Sequence, residues 1–181
     1  MASSTPLFSY FRRPIQNLQP QAQWTILDAW HYIISDDAAE TTRRLRTISN
    51  AKERQAFKAG HFDYATFSGT FKQRGKNGLI RHSGLICLDF DHVTKLQKLR
   101  DRLLKDEYFE TMLLFRSPGG EGLKWVIPID LGASTQETFF NALCWYCRKT
   151  YGIAPDRQCR DVGRACLLPY DPEAYINPAL R

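Results

Sequence analysis

The sequence lacks any long apolar run. No stretch of its 181 residues approaches the ~20 consecutive apolar residues of a membrane-spanning helix, so nothing in it predicts insertion into a bilayer. A secretory signal peptide is absent too, and the five cysteines are an odd number without regular spacing. This usage is typical of free thiols in a reducing compartment and predicts a cytoplasmic protein without a disulfide framework.

Acidic residues are also scarce relative to basic ones. Lys and Arg number 25 against 19 Asp and Glu, which gives a formal net charge of +6. Apolar residues make up 43% and charged residues 24% of the chain, a composition that excludes wholesale disorder. The basic surplus favours a polyanionic partner such as nucleic acid or nucleotide phosphates, although lysines and arginines scattered over a solvated surface give the same total.

The order of apolar and capping patterns predicts an α+β fold. Residues 1–20, with three prolines, predict an extended arm, and residues 21–181 predict a single domain. Helices are predicted over 21–35, 36–48 and 49–60. The elements predicted after them are strands at 62–69 and 84–93, a helix at 94–106, strands at 111–115 and 123–129, and a helix at 134–151. This is close to a βαββαβ layout, an antiparallel sheet with helices on one face.

The strand at 84–93, GLICLDFDHV, carries two carboxylates in an apolar run. Because side chains alternate along a strand, Asp89 and Asp91 point the same way, about 6–7 Å apart. Two ionised carboxylates this close repel each other unless a cation lies between them, and divalent ions with oxygen ligands are the common solution. The pair is therefore a candidate metal platform. The alternative is that Asp91 caps the next helix while Asp89 is solvated.

A glycine-rich turn, FRSPGGEGLKWV, joins the next two strands. Ser117, Gly120 and Gly122 allow backbone N–H groups to approach a phosphate closely, and Lys124 follows them. No helix follows the lysine, so the segment is not a Walker motif. The alternative interpretation is a hairpin turn with an ordinary surface lysine.

A third polar segment, APDRQCRDVGRACLLPYDP, precedes the C-terminus. Asp156 or Asp161 offers a carboxylate that could complete a metal site, and Arg164 offers a guanidinium that could bind a triphosphate through two hydrogen bonds. A polar loop with surface ion pairs is the alternative for most of these charges.

Together these segments resemble the archaeo-eukaryotic primase (primase-polymerase) superfamily, and within it the VirE N-terminal-like domains of mobile elements. The shared features are a strand with Asp-x-Asp, a Ser/Gly-rich turn leading to a basic residue, and a later Asp near an Arg; FSGTFKQR at 67–74 is similar as well. The resemblance covers roughly residues 45–178. It implies an RRM-like core, at about 61–178, with an N-terminal α/β extension.

The resemblance implies template-dependent nucleotidyl transfer, as in a DNA primase or polymerase, with two divalent ions, Mg²⁺ or Mn²⁺. By position, the implied metal ligands and catalytic residues are Asp89, Asp91 and Asp156, with Asp161 competing for the third place. The residues implied to hold the incoming NTP or dNTP are Ser117, Gly120, Gly122, Lys124 and Arg164. Many members have a histidine where Lys124 stands, so this chain would bind phosphate through a lysine.

The implied polymer partner is single-stranded or primed DNA. Candidates for its backbone contacts are Lys58, Lys72, Arg74 and Lys76. A helicase or another replication partner, fused or separately encoded, is expected as well, because the chain is short for a complete replication protein. The alternative function is a module of the same fold that binds nucleotide and nucleic acid without catalysis. A metal-dependent nuclease would need a water-positioning residue, which the sequence does not identify.

Overall fold

Two sheets stacked on one another form the body of the protein. The computed structural model describes residues 5–75 and 77–181. Over these residues the elements in chain order are β1 (Phe8–Phe11), β2 (Ala22–Trp24), α1 (Ile26–Ile34), α2 (Ala39–Thr47), α3 (Ala51–His61), β3 (Tyr64–Thr66), β4 (Gly69–Phe71), β5 (Leu79–His82), β6 (Leu85–Phe90), α4 (Leu96–Leu104), β7 (Leu113–Arg116), β8 (Leu123–Pro128), α5 (Gln136–Tyr151), β9 (Cys166–Leu167) and β10 (Tyr175–Ile176), with short 3-10 helices at Asp36–Ala38, Arg157–Arg160 and Pro178–Leu180.

The first sheet has the strand order β10-β7-β8-β6 and is antiparallel throughout. Its strands and the two long helices follow the chain order β6, α4, β7, β8, α5 and β10. A 3-10 helix and β9, which joins the other sheet, lie between α5 and β10. The α+β class is therefore confirmed, and β6 and β7 flank β8 as in a split βαβ unit. The last strand pairs with β7, whereas an RRM-like sheet would place it beside the first strand, here β6.

Helices α4 and α5 cover one face of this sheet. Ile86, Leu88 and Phe90 are every second residue of β6, and all three are fully buried against this helix layer. Leu103 of α4 and Leu143 of α5 belong to the same apolar cluster. The alternation predicted from the sequence thus holds, since period-2 spacing separates the two faces of a strand.

The opposite face of β6 packs against the second sheet, whose order is β2-β1-β3-β9. Leu85, Phe115 and Val126 of the first sheet share an apolar cluster with Phe8 and Phe67. Stacked sheets bury their facing side chains in this way. Asp89, the carboxylate of β6, therefore points toward a second layer of protein and away from the helices.

The N-terminal segment is more tightly integrated than the predicted arm at 1–20. Strand β1 lies inside the second sheet and pairs with both β2 and β3. Phe8 and Phe11 are fully buried. Burial of aromatic side chains is a strong stabilising contribution, which explains why this segment is a strand of the core. Residues 1–4 of the predicted arm lie outside the described residues.

Helix boundaries follow the capping residues. The first helix begins after Thr25, whose hydroxyl accepts a backbone N–H in a capping box, and not at Gln21 as predicted. Asn50 caps α3 and Thr135 caps α5, and α5 ends at Gly152 in the left-handed conformation. The five cysteines are free thiols, as predicted. Within 5–75 and 77–181, no helix combines the length and apolarity needed to cross a bilayer.

Candidate metal and phosphate site

Three carboxylates meet at the end of β6. Asp89 lies in the strand and Asp91 directly follows it. The backbone N–H of Asp156 donates to the carbonyl of Asp89 at 2.8 Å, which brings the segment after α5 alongside the strand. One carboxylate oxygen from each of these residues lies within 4.8 Å of the others, so together they could hold a metal ion. We call these three residues the acidic triad.

The geometry selects between the two candidates for the third carboxylate. Asp156 stands at the start of a 3-10 helix, and its Oδ2 accepts from Arg164 Nη2 at 2.9 Å. Asp161 lies outside the acidic triad, and its Oδ1 accepts the backbone N–H of Gly163 at 2.9 Å. Asp156 is therefore the triad member, and Asp161 closes a local turn.

Asp89 is the buried member of the triad, with 5% of its surface exposed. Its Oδ2 accepts from Lys124, whereas its Oδ1 is buried and has no hydrogen-bond partner among the described residues. Burial raises the pKa of Asp89, with a further increase from Asp91, while Lys124 acts in the opposite direction. A buried acceptor without a partner is costly. An oxygen of this kind beside two more carboxylates fits a hard divalent cation.

Lys124 reaches Asp89 because of strand register. The two residues are directly opposite each other in the antiparallel pair of β6 and β8. Burial alone lowers the pKa of Lys124, but the Asp89 carboxylate outweighs burial and raises it, so the ammonium stays charged. Its Nζ is directed at Asp89, on the inner side of the strand. The phosphate contact that the resemblance implies for Lys124 stays a prediction.

The turn after β7 is held in shape by its own backbone. Ser117 N–H donates to the Gly122 carbonyl at 2.8 Å, and Gly120 N–H donates to the Ser117 carbonyl at 2.8 Å. Gly120 has a φ of 81°, a left-handed conformation that favours glycine. A Cβ on Gly122 would lie 2.3 Å from the carbonyl oxygen of Phe90. These glycines let the turn approach the end of β6 closely.

Two arginines from the N-terminal helices hold the same turn. Arg46 Nε donates to the Pro118 carbonyl at 3.3 Å, and Arg54 Nη2 donates to the Gly119 carbonyl at 3.1 Å and to Glu121 Oε1 at 2.8 Å. Sequence reasoning missed both arginines, because these partners are 72 and 65 residues apart along the chain. The only local signal was that Arg54 lies one helical turn before Lys58 on α3.

An open cleft of about 580 Å³ separates α3 from the turn. Its walls include Arg54 and Lys58 on one side, Ser117 and Gly122 on the other, and Asp91 at the triad end. Burial lowers the pKa of Lys58, and neighbouring Arg54 lowers it further, while Asp91 opposes the shift. The volume is in the usual range of small-molecule sites. Glu121, the ion-pair partner of Arg54, also lines the cleft, so Lys58 is the lining cation best placed to meet an anion.

The other predicted contacts lie elsewhere. Arg74 Nη2 donates to the Ile15 carbonyl at 2.8 Å, and its guanidinium lies 4.8 Å from the centre of the Tyr64 ring. Lys72 is exposed beyond β4. Neither residue lines the cleft, so their contact with nucleic acid stays a prediction. Lys76 lies outside the described residues.

Comparisons with known proteins identify a family without assigning an activity. No curated protein and no solved structure matches the chain significantly. A family model described as "BT4734-like, N-terminal domain" matches residues 57–176, a range that contains the acidic triad, the glycine turn and Lys58. Because the match covers about two thirds of the chain, from within α3 to the end of β10, the protein belongs to the BT4734-like N-terminal domain family.

Proposed function

We propose that this domain is a metal-dependent nucleotidyltransferase of the primase-polymerase type. The observation that carries the proposal is the acidic triad, with its ligand oxygens within 4.8 Å of one another and a buried Asp89 oxygen free to accept a ligand. Directly beside it lies a cleft lined by Arg54 and Lys58. A cation site that adjoins an anion site is what phosphoryl chemistry requires. The resemblance to primase-polymerase domains supports the same reaction class.

The acidic triad is assigned to hold two divalent ions, Mg²⁺ or Mn²⁺. Carboxylate oxygens are the ligands that both ions prefer. When bound, the ions supply positive charge to the reacting phosphate and lower the pKa of an attacking hydroxyl group. In this proposal the attacking hydroxyl belongs to a primer or to a first nucleotide, the incoming substrate is an NTP or dNTP, and the template is single-stranded or primed DNA.

The remaining side chains orient the triad and hold the substrate. Lys124 fixes the rotamer of Asp89, and Arg164 does the same for Asp156 through its 2.9 Å hydrogen bond. Such outer contacts preserve ligand geometry. Arg54 and Lys58 neutralise the phosphates from the α3 side of the cleft, opposite the glycine turn.

A second candidate function is a binding module of the same fold without catalysis. The observation that favours it is the ion pair between Lys124 and Asp89. The ammonium already offsets one carboxylate charge that a catalytic cation would otherwise offset, so the affinity of the triad for a cation is reduced. In this case the cleft would bind nucleotide or nucleic acid with no turnover.

Nucleotide incorporation tests the two functions. Wild type, Asp91→Asn and Asp156→Asn are compared on primed and unprimed single-stranded templates with Mg²⁺ or Mn²⁺. Asp161→Asn is the matched control, because it removes a nearby carboxylate outside the triad. We expect the two triad variants to lose more than about 100-fold in rate, and the control to retain wild-type activity.

Two outcomes would contradict these assignments. If wild type incorporates nothing on either template with either ion, yet binds nucleotide, the binding module replaces the enzyme. If Asp161→Asn is as damaging as Asp156→Asn, the assignment of the third ligand is wrong. Thermal unfolding of every variant establishes that loss of rate is not loss of fold.

A further inference from the structure

Four basic side chains follow one side of α4. Lys95, Lys98, Arg102 and Lys105 are spaced by three, four and three residues, a pattern that puts them on the same side of a helix. All four are exposed. No ion pair within the described ranges neutralises the three lysines. We call these four residues the basic stripe.

Three neighbouring clefts, each sharing lining residues with the next, lead from the candidate site to the far end of the basic stripe. The cleft beside Asp91 shares His92 with a second cleft of about 290 Å³, between α4 and the segment after α5. That second cleft shares Lys98, Arg102 and Tyr151 with a third, of about 590 Å³, between α4 and α5. We call the three neighbouring clefts together the groove.

The far end of the groove carries aromatic side chains. Tyr108 is 78% exposed, and its ring meets Tyr146 edge-on at 6.0 Å. The hydroxyl groups of Tyr146 and Tyr151 both donate to Asp106, so this acid is engaged inside the groove wall. Arg102 stacks over the ring of Tyr151 at 4.9 Å. An exposed ring beside a line of cations is the combination with which proteins bind single-stranded nucleic acid.

Acids balance the basic stripe only in the third cleft, where Asp101, Asp106 and Glu107 lie beside Lys98, Arg102 and Lys105. Asp101 accepts a hydrogen bond from Gln97 at 2.8 Å, and Glu107 lies only at the outer end of the groove. Between His92 and Lys98 the second cleft is lined by no acid. The second cleft, lined by Lys95, Lys98 and Arg102, is therefore the most positive part of the groove and the part that an anionic chain contacts most favourably.

We propose that the groove along α4 binds a single strand of nucleic acid and leads it to the cleft beside Asp91, as the template path of the proposed transferase. The basic stripe covers residues 95–105, ten steps of about 1.5 Å along the chain, or about 15 Å of helix. At about 3.4 Å per nucleotide of stacked strand, that length spans about four nucleotides. Phosphates lie on the basic stripe, and one base stacks on Tyr108. The direction of the strand, from Tyr108 toward Asp91, rests on the proposed function.

Fluorescence anisotropy with a labelled oligothymidylate tests the groove. The stripe variant is Lys98→Glu/Lys105→Glu. The matched control is Arg148→Glu/Lys149→Glu, which makes the same charge change with two exposed side chains of α5 that do not line the groove. We expect the stripe variant to bind at least about tenfold more weakly, and the slope of log K against log salt to fall by about 1.4 for two lost phosphate contacts.

Tyr108→Ala tests the stacking platform separately. We expect it to weaken strand binding by about tenfold while the salt slope stays unchanged, because stacking releases no counterions. Equal weakening by the stripe variant and the control would overturn the proposal, since net charge alone would then explain binding. Binding of anionic vesicles, but not of the oligonucleotide, through the same lysines would overturn it in favour of a membrane surface.

The experiments give different results if the groove proposal is wrong and if the proposed function is wrong. If the stripe variant incorporates nucleotides like wild type at subsaturating template, while Asp91→Asn incorporates none, the groove proposal fails and the enzyme proposal stands. If wild type incorporates nothing, yet the stripe variant alone loses strand binding, the groove stands and the enzyme proposal fails.

Discussion

Replacement of Lys124 by methionine should expose how strongly the fold depends on charge balance at Asp89. Methionine keeps the length of the side chain and removes the ammonium. Lys124 is 9% exposed and Asp89 5% exposed, so solvent cannot replace the lost partner. Because the second carboxylate oxygen of Asp89 already lacks a partner, the variant leaves a buried carboxylate with no side-chain donor at either oxygen.

The expected loss is large for a single substitution. Removing one partner of a buried ion pair costs about 3–5 kcal/mol, whereas a domain of this size has a total free energy of unfolding of about 5–15 kcal/mol. Replacing both partners with apolar residues, as in Asp89→Leu/Lys124→Met, removes the unpaired charge. Such double replacements are neutral or stabilising by about 1–4 kcal/mol. The double variant should therefore be more stable than Lys124→Met alone.

Divalent cations should rescue the single variant. A cation bound to the acidic triad takes over the role of the ammonium toward Asp89, so Mg²⁺ or Mn²⁺ should stabilise Lys124→Met more than wild type. The stabilisation grows with the ratio of cation concentration to its dissociation constant. The double variant lacks the Asp89 ligand and should gain the least.

Urea unfolding of wild type, Asp89→Leu, Lys124→Met and the double variant, in chelator and in excess cation, measures each of these differences. The reasoning is refuted if Lys124→Met loses less than about 1 kcal/mol, which would mean that Asp89 is effectively solvated. It is refuted as well if the double variant loses as much as the two single variants together, since a paired charge makes the two losses strongly non-additive.

Three further predictions concern the turn, a histidine and the triad. Gly122→Ala should cost about 1–3 kcal/mol of unfolding free energy, because its Cβ would lie 2.3 Å from a carbonyl oxygen of β6. In the same urea assay, Gly60→Ala in α3 should raise the unfolding free energy by about 0.5–1 kcal/mol, because its Cβ would have no atom within 4 Å. Burial lowers the pKa of His82, whose Nδ1 accepts the Gly84 N–H at 3.0 Å. The unfolded chain therefore takes up the proton first, and the stability of the protein should fall as the pH drops below 6.5. Melting temperatures measured across this pH range should show a smaller decline in His82→Gln. Mn²⁺ should raise the melting temperature of wild type but not of Asp91→Asn, and an equal rise in both would remove Asp91 from the ligand set.

Local rules explain what the sequence predicted correctly. The side-chain alternation of β6 places Asp89 on the face opposite Ile86, Leu88 and Phe90, whatever surrounds it. Asp91 lies just beyond the end of the strand, so this rule does not set its place in the triad. Glycines and capping residues likewise mark turns and helix ends from neighbouring positions alone, as at Thr135 and Gly152. The choice between Asp156 and Asp161 was left open, because it depends on a backbone hydrogen bond from Asp156 to a strand more than 60 residues earlier.

Long-range pairing accounts for what the sequence did not predict. Nothing near Lys124 specifies that it lies opposite Asp89, because the register of β6 and β8 is set by two whole strands. The arginines on α2 and α3 could not be connected to the glycine turn for the same reason. The burial of β1 had a local signal, the aromatic-rich FSYF, but the nearby prolines favoured an arm over a strand.

The charge arrangement of the site connects cation binding to anion binding. Lys124 and Arg164 offset two of the three formal negative charges of the acidic triad, so a single negative charge remains at the mouth of the cleft. One divalent cation reverses that sign. Asp91, which repels a phosphate when the triad is empty, then lies beside a net positive centre that continues into Arg54 and Lys58. The two ligands must therefore promote each other's binding by the same factor, since coupling between sites is reciprocal. In the proposed site, the binding of nucleotide would depend on the cation through seven side chains, namely the acidic triad, Lys124, Arg164, Arg54 and Lys58.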